Sequence, residues 1–390
     1  MLNNYHIRNQ ETKWMVWGSI IEKKKTMKKI FFTGILFFAS FFFSSTFGQL
    51  TDMGRLLSGG AADGGKLAEA YLAPFPKAFG ATLNAGWYNT ARPHRFPGLD
   101  ITLSFNVAAI PDDAKYFDLN DLDLSPSANI SGSSITPTFS GNGPRPSLEY
   151  TETVNNEQIT LAEYTMPQGT GIGFIPAPTL QLGVGLPFDT DFIIRFIPKV
   201  NIATHGNLGL WGIGIKHSLK QHIPVVRRLP LINFSAMAGY TKFYTGTNLN
   251  FVPAHINAVD NTSTMVSFDN QRMEFGVGSF TANLIASVDI PIITVYGSAG
   301  FNSTSTDLSM TGWYPVPVVN QDNPENLYTQ VTDGSAIKDP VDFRMGNDFR
   351  GIQPRLTAGF KLKLTVLHIH ADYTYARYSV FTGGIGISIR

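Results

Sequence analysis

Cysteine is absent from the 390 residues, which excludes a disulfide framework, thiolate chemistry and acylation of an N-terminal lipobox cysteine. Charge is scarce too. Only 15% of residues are charged, and a formal net charge of +1 gives neither the basic surface of a nucleic-acid binder nor the acidic excess of a disordered chain. Catalytic signatures are also missing: there is no His-Glu-x-x-His, no Gly-x-Ser-x-Gly elbow and no phosphate-binding loop. Gly169-Thr170-Gly171-Ile172-Gly173 is glycine-rich but runs into a proline-broken strand, so it reads as a loop or strand start. No catalytic, metal or cofactor-binding residues are assigned. The chain has no apolar run long enough for a membrane helix, because its longest, residues 30–43, falls short of the roughly twenty residues a bilayer core requires.

That run has another use. Met27-Lys28-Lys29 precedes it and Ser44-Ser45-Thr46-Phe47-Gly48 follows it, the basic, apolar and small-residue order of a cleaved signal peptide over residues 27–48, with Gln49 starting the mature chain. Residues 1–26 then read as an extension from a start codon placed too far upstream. Export brings the protein past the inner membrane.

Residues 50–73 have helical spacing: Met53, Leu56 and Leu57, then Leu67, Ala70 and Tyr71, interrupted by glycine pairs and ended by Pro74 and Pro76. Residues 49–77 are expected to form either a periplasmic cap on a barrel or a plug inside it. From residue 79 the period falls to two. Leu99, Ile101, Leu103, Phe105 and Val107 alternate with Asp100, Thr102, Ser104 and Asn106, and Leu356, Ala358, Phe360, Leu362 and Leu364 alternate with Arg355, Thr357, Gly359, Lys361 and Lys363. Such segments are strands with one wet face. Further strands are expected over residues 79–88, 115–124, 180–186, 192–202, 211–216, 232–240, 273–290, 293–301, 367–374 and 381–389. The segment 273–290 changes phase near Ser279 and Phe280, which suggests a bulge.

A soluble β-sandwich would alternate in the same way. Connection lengths favour a transmembrane barrel over residues 78–390, because tight turns alternate with long segments at 125–171, 245–270 and 302–351, as periplasmic turns alternate with external loops. The expected fold is an all-β, antiparallel transmembrane barrel of about twelve strands, or about fourteen if residues 148–166 form a hairpin within the membrane. Trp87, Tyr88, Tyr240, Tyr244, Tyr375 and Tyr378 stand near strand ends, where aromatic rings meet lipid headgroups.

The Lys66-Leu67-Ala68-Glu69-Ala70-Tyr71-Leu72, Asn84-Ala85-Gly86-Trp87-Tyr88-Asn89-Thr90-Ala91 and Gly214-Ile215-Lys216-His217-Ser218-Leu219-Lys220-Gln221 stretches, with the signal before Gln49, resemble an uncharacterised outer-membrane barrel family of Bacteroidetes-type bacteria. The architecture is more loosely similar to long-chain fatty-acid transporter barrels, which carry an N-terminal plug, although no motif of their ligand pocket is present. The resemblance implies residence in the outer membrane. The expected partners are outer-membrane lipid, the barrel-assembly machinery during insertion and an unidentified solute.

The inward phase of the strands nominates lumen-lining residues: Arg195, Lys199, Arg355, Lys361, Lys363, His368, His370 and Asp372, with Asp100, Glu274 and Asp289 offsetting the cations. Three functions are consistent with this reading. They are a passive or ligand-gated channel or transporter for small or hydrophobic solutes, a structural or adhesive barrel acting through its long loops, and a lipid hydrolase using His368 and His370.

Overall fold

The computed structural model describes residues 56–201, 206–252, 260–261, 265–320, 329–345 and 351–389. The expected start extension and signal peptide lie outside these residues. Ten strands form one closed antiparallel sheet: β1 (Leu99–Ala109), β2 (Phe174–Leu186), β3 (Thr190–Asn201), β4 (Asn207–Ser218), β5 (Ile232–Asn248), β6 (Arg272–Asp289), β7 (Ile293–Thr311), β8 (Gln353–Leu364), β9 (Leu367–Tyr375) and β10 (Val380–Ile389). Each pairs with the next, and β10 returns to β1 from Leu99↔Ile389 to Ala108↔Val380. Pairing between β2 and β3 is confined to Gln181↔Arg195 through Leu186↔Thr190, and Val341–Met345 adds to β7 from Thr306↔Met345 to Met310↔Val341.

The sheet is inverted relative to that of a water-soluble protein. Ile101 is 53% exposed and Ile385 53%, whereas Thr102 and Asn106 are fully buried. Apolar side chains cover the outside and polar ones the inside, the arrangement of a barrel immersed in lipid. Residues 187–189, 219–231, 290–292 and 365–366 join strands at one end. Residues 110–173, 202–206, 249–271, 312–352 and 376–379 join them at the other, so the long connections gather at a single end.

The strand number is ten, not twelve or fourteen. Of residues 115–124 only Tyr116–Asp118 is extended, pairing with Ile135–Pro137, before the Asp118 carboxylate accepts from Asn120 N and the chain turns at Asp123 with φ 48°. The hairpin Ser147–Val154 and Glu157–Thr165 adds to Ala128–Ser131 as a three-stranded sheet within the long connection. Residues 79–88 are not a strand. Two helices precede the barrel, α1 (Ala61–Leu72) and α2 (Pro74–Leu83), and Pro74 starts α2 instead of ending the helical segment, since proline fits the first helical turn. Because α2 is packed on most sides, its apolar residues follow no single stripe and allowed a strand reading.

The expected bulge in β6 is also absent. Register with β7 is continuous from Arg272↔Thr311 to Asp289↔Thr294. Odd positions face inward throughout, and what changes is the dryness of the interior. Near one end they are Ser279, Thr281, Asn283 and Ser287, with Ile285 among them in the cluster around Trp87, while near the other Val277 and Phe275 pack with Phe243 against Leu83 and Phe79 of α2. Glu274 consequently faces outward and bonds Arg272 at 2.8 Å.

The long connection 110–173 folds onto α1. Buried Asp63 accepts from Ser125 N at 2.9 Å and Ser125 Oγ at 2.7 Å, Phe139 N donates to Tyr71 O, and Tyr71 Oη donates to Gln168 O. Asp63→Ala should strand the Ser125 groups and cost about 1–3 kcal/mol of local stability. The check is limited proteolysis, in which nicking within residues 110–173 should accelerate while barrel heat-modifiability is unchanged.

Candidate functional site: the barrel interior

A barrel with a polar inner wall must fill that interior with water or with protein. Here α2 and residues 84–98 fill it. The segment enters from the long-loop end, where Gly80 lies so close to β7 that a Cβ there would stand 2.9 Å from Thr304 Cβ and Ser279 Oγ donates to Gly80 O. It leaves at the short-turn end through Gly98 into β1.

Its fixation is by side chain to main chain. Arg195 donates to Leu83 O and Ala85 O, both at 2.7 Å, and Arg355 donates to Asn84 O at 2.7 Å. These carbonyls close the C-terminus of α2, the negative end of its dipole, so two fixed cations cap it. The Arg195 guanidinium also lies over the Trp87 ring, 3.7 Å from the centroid, a cation–π contact strengthened by loss of water. Trp87 occupies a slot in the wall made by two glycines. A Cβ at Gly214 or Gly239 would lie 2.7 or 2.8 Å from indole carbons, so any larger residue would displace the ring.

Further along, Tyr88 Oη bonds Ser298 Oγ and its ring meets Tyr296 edge-on, while Tyr296 Oη donates to Asp372 at 2.9 Å. Lys361 Nζ donates to Asn89 Oδ1 at 2.8 Å, and Lys216 Nζ reaches both Thr90 O and the Asp191 carboxylate. Thr90 Oγ1 donates to Asp289, which also pairs with Lys363. His94 bonds Asp191 through its backbone N and its Nδ1 and meets Ser388 through Nε2.

The structure places the nominated residues unevenly. Arg195, Arg355, Lys361, His368, His370 and Asp372 are buried on the inner wall, and Lys363 is partly buried. Lys199 is not on that wall: the β3–β4 register shifts between Ile197 and Val200, leaving Lys199 exposed in the irregularity. Of the offsetting carboxylates nominated from the sequence, Asp289 pairs with Lys363, and a further buried pair joins Lys216 to Asp191. Arg195 and Arg355 instead use main-chain carbonyls, acceptors that every residue carries and no motif announces. Trp87 and Tyr88, read as headgroup-level aromatics, are inside the barrel. His94, Asn89, Thr90, Asp191 and Lys216 were not singled out, although the polar run Asn89-Thr90 beside Trp87 was a usable signal.

The fold and interior together define a closed ten-stranded antiparallel barrel with its own N-terminal segment in the lumen. The profile of a family of unknown function (DUF6588) matches residues 27–389, and the chain belongs to that family. No curated protein matches the chain in sequence. Several solved structures are similar to it at low identity. The attachment invasion protein Ail of Yersinia pestis, in complex with the heparin analogue sucrose octasulfate, is 8% identical over 75% of this chain and 96% of its own, with a TM-score of 0.25. The translocator domain of the autotransporter NalP from Neisseria meningitidis is 10% identical over 76% and 90%, with a TM-score of 0.26. The P. putida toluene transporter TodX is 8% identical over 76% and 89%, with a TM-score of 0.18.

Proposed function

We propose that this protein is an outer-membrane β-barrel acting as a ligand-gated transporter for small or hydrophobic solutes, held shut by its N-terminal segment. The observation that carries the reading is the occupant of the lumen: one continuous segment fixed by hydrogen bonds to a polar wall, bonds that a ligand or water can replace one for one. An open passive pore is disfavoured for the same reason. Membrane residence is supported by the apolar exterior and by closure, which pairs most strand N–H and C=O groups in a medium without water. Outer-membrane lipid and the assembly machinery are the partners this reading requires. His370 Nε2 stands 3.4 Å from Ser104 Oγ inside the packed interior, where a lipid substrate has no access, and the reading assigns no catalysis.

The absence of cysteine makes a direct test available. In Gly80→Cys/Thr304→Cys the two Cβ atoms start 2.9 Å apart, and a shift of under an ångström reaches the about 3.8 Å of a disulfide. Oxidation should tie α2 to β7. Solute uptake into proteoliposomes should fall at least about tenfold on oxidation and return with reductant, since a tethered plug cannot leave. Uptake equal in both states would remove the gated-transport reading.

A second reading has its own observation, the folded three-stranded sheet that the long connection builds over α1. A surface-attachment barrel would present such a platform. Excision of residues 128–165 should then abolish binding to a target surface and leave permeability unchanged.

A further inference from the structure

The strongest unassigned chemistry lies at the short-turn end. His217 closes β4 opposite Thr190, the first residue of β3. Thr190 Oγ1 lies 3.1 Å from Phe188 O, to which it donates, and 2.8 Å from His217 Nδ1. The tautomer with the proton on Nδ1 satisfies both contacts at once and leaves the His217 lone pair on Nε2.

The turn Lys220–His222 follows at once and directs two more polar atoms to that lone pair. His222 Nε2 is 3.3 Å from His217 Nε2, and Gln221 Nε2 is 3.1 Å from His217 Nε2 and 3.2 Å from His222 Nε2. A flip of the Gln221 amide puts Oε1 in that place, in exchange for the long 3.5 Å contact of its nitrogen with Phe188 O. The two imidazole nitrogens and the end of the amide thus form a nearly equilateral triangle. Two ligands bound to one tetrahedral ion at 2.0–2.1 Å are about 3.4 Å apart, which matches its edges. Lys220 does not compete, because its ammonium bonds Leu229 O and Asn233 Oδ1. Among the described residues no group of three or more His, Asp or Glu side chains could hold a metal, and the third member of this triad is an amide.

We propose that His217 Nε2, His222 Nε2 and Gln221 Oε1 bind a divalent transition-metal ion of the Zn²⁺, Ni²⁺ or Cu²⁺ type, with solvent completing its coordination. Imidazole with an oxygen donor suits these ions. Thr190 is the outer partner that orients a ligating histidine and holds its tautomer. Bound metal fastens the connection 219–231 to the β3–β4 pair, whatever the barrel transports.

The test is isothermal titration of Zn²⁺ alone into the detergent-solubilised full chain, with Co²⁺ absorption reporting the coordination. The wild type should bind one equivalent and give the d–d bands of a four-coordinate site. His222→Ala and Gln221→Ala, at exposed positions, should weaken binding at least about tenfold with heat-modifiability preserved. Thr190→Val keeps all three ligands and should still weaken binding by about tenfold or more, the usual effect of losing an outer partner. Absence of Zn²⁺ binding would overturn the proposal. So would binding that persists in His217→Ala/His222→Ala, or that is indifferent to Thr190→Val.

Discussion

Phe360→Arg should block assembly of the barrel, whereas Leu364→Arg should leave it intact. The two side chains lie on the outer face of one strand and are similarly open, 48% and 52% exposed. In water their replacement by arginine would be equally harmless. In a bilayer depth decides. Phe360 sits four residues inside the strand from the Leu364–Leu367 turn, where arginine costs about 2–4 kcal/mol, while a site at the strand end costs about 0–1. Heat-modifiable folded protein in outer-membrane fractions should therefore drop severely for Phe360→Arg and hardly at all for Leu364→Arg. Equal tolerance of both would mean that the outer face meets water. Thr357→Arg, attractive from the alternation alone as a lumen control, is unsuitable. Thr357 is buried against Thr374, which Arg355 also bonds, so a second guanidinium there meets a packed, positively charged wall.

Trp87→Ala should loosen the interior more than any other single truncation. The ring is fully enclosed between Gly214 and Gly239 beneath Arg195. Its removal leaves a cavity the sheet cannot close, because both walls are hydrogen-bonded strands, and the cost should be about 3–5 kcal/mol. Amide exchange should accelerate over residues 83–94, and conductance in planar bilayers should rise, with the strands still protected. Gly239→Leu supplies the internal control. Alone it should act like Trp87→Ala by expelling the ring. Combined with Trp87→Ala it should fill the vacated slot and restore protection, a coupling that independent sites would not show. Additive damage in the double variant would mean that the ring does not seat in that slot.

Alternation made most of the wall legible in advance. A period of two is a local property, so the outward set of β1, β8 and β9 could be read residue by residue, and the gathering of long connections at one end followed from counting between them. The same locality explains the errors. In β6 an apolar residue suggests the outer face, but Val277 and Phe275 are apolar because α2 lies against them. Strand number failed where short extended pieces, such as Tyr116–Asp118, paired within a connection and not with the barrel.

The inward positions of Arg195, Arg355, Lys361, His368, His370 and Asp372 were thus set by the sequence through the pleat. What those side chains bind was decided by the tertiary structure. Arg195 and Arg355 hold carbonyls more than a hundred residues away in the chain, and a main-chain carbonyl leaves no trace in residue type. Closure at ten strands and the seating of Trp87 between two wall glycines are likewise long-range events. They depend on which segments meet around a shared interior, a quantity to which no local period contributes.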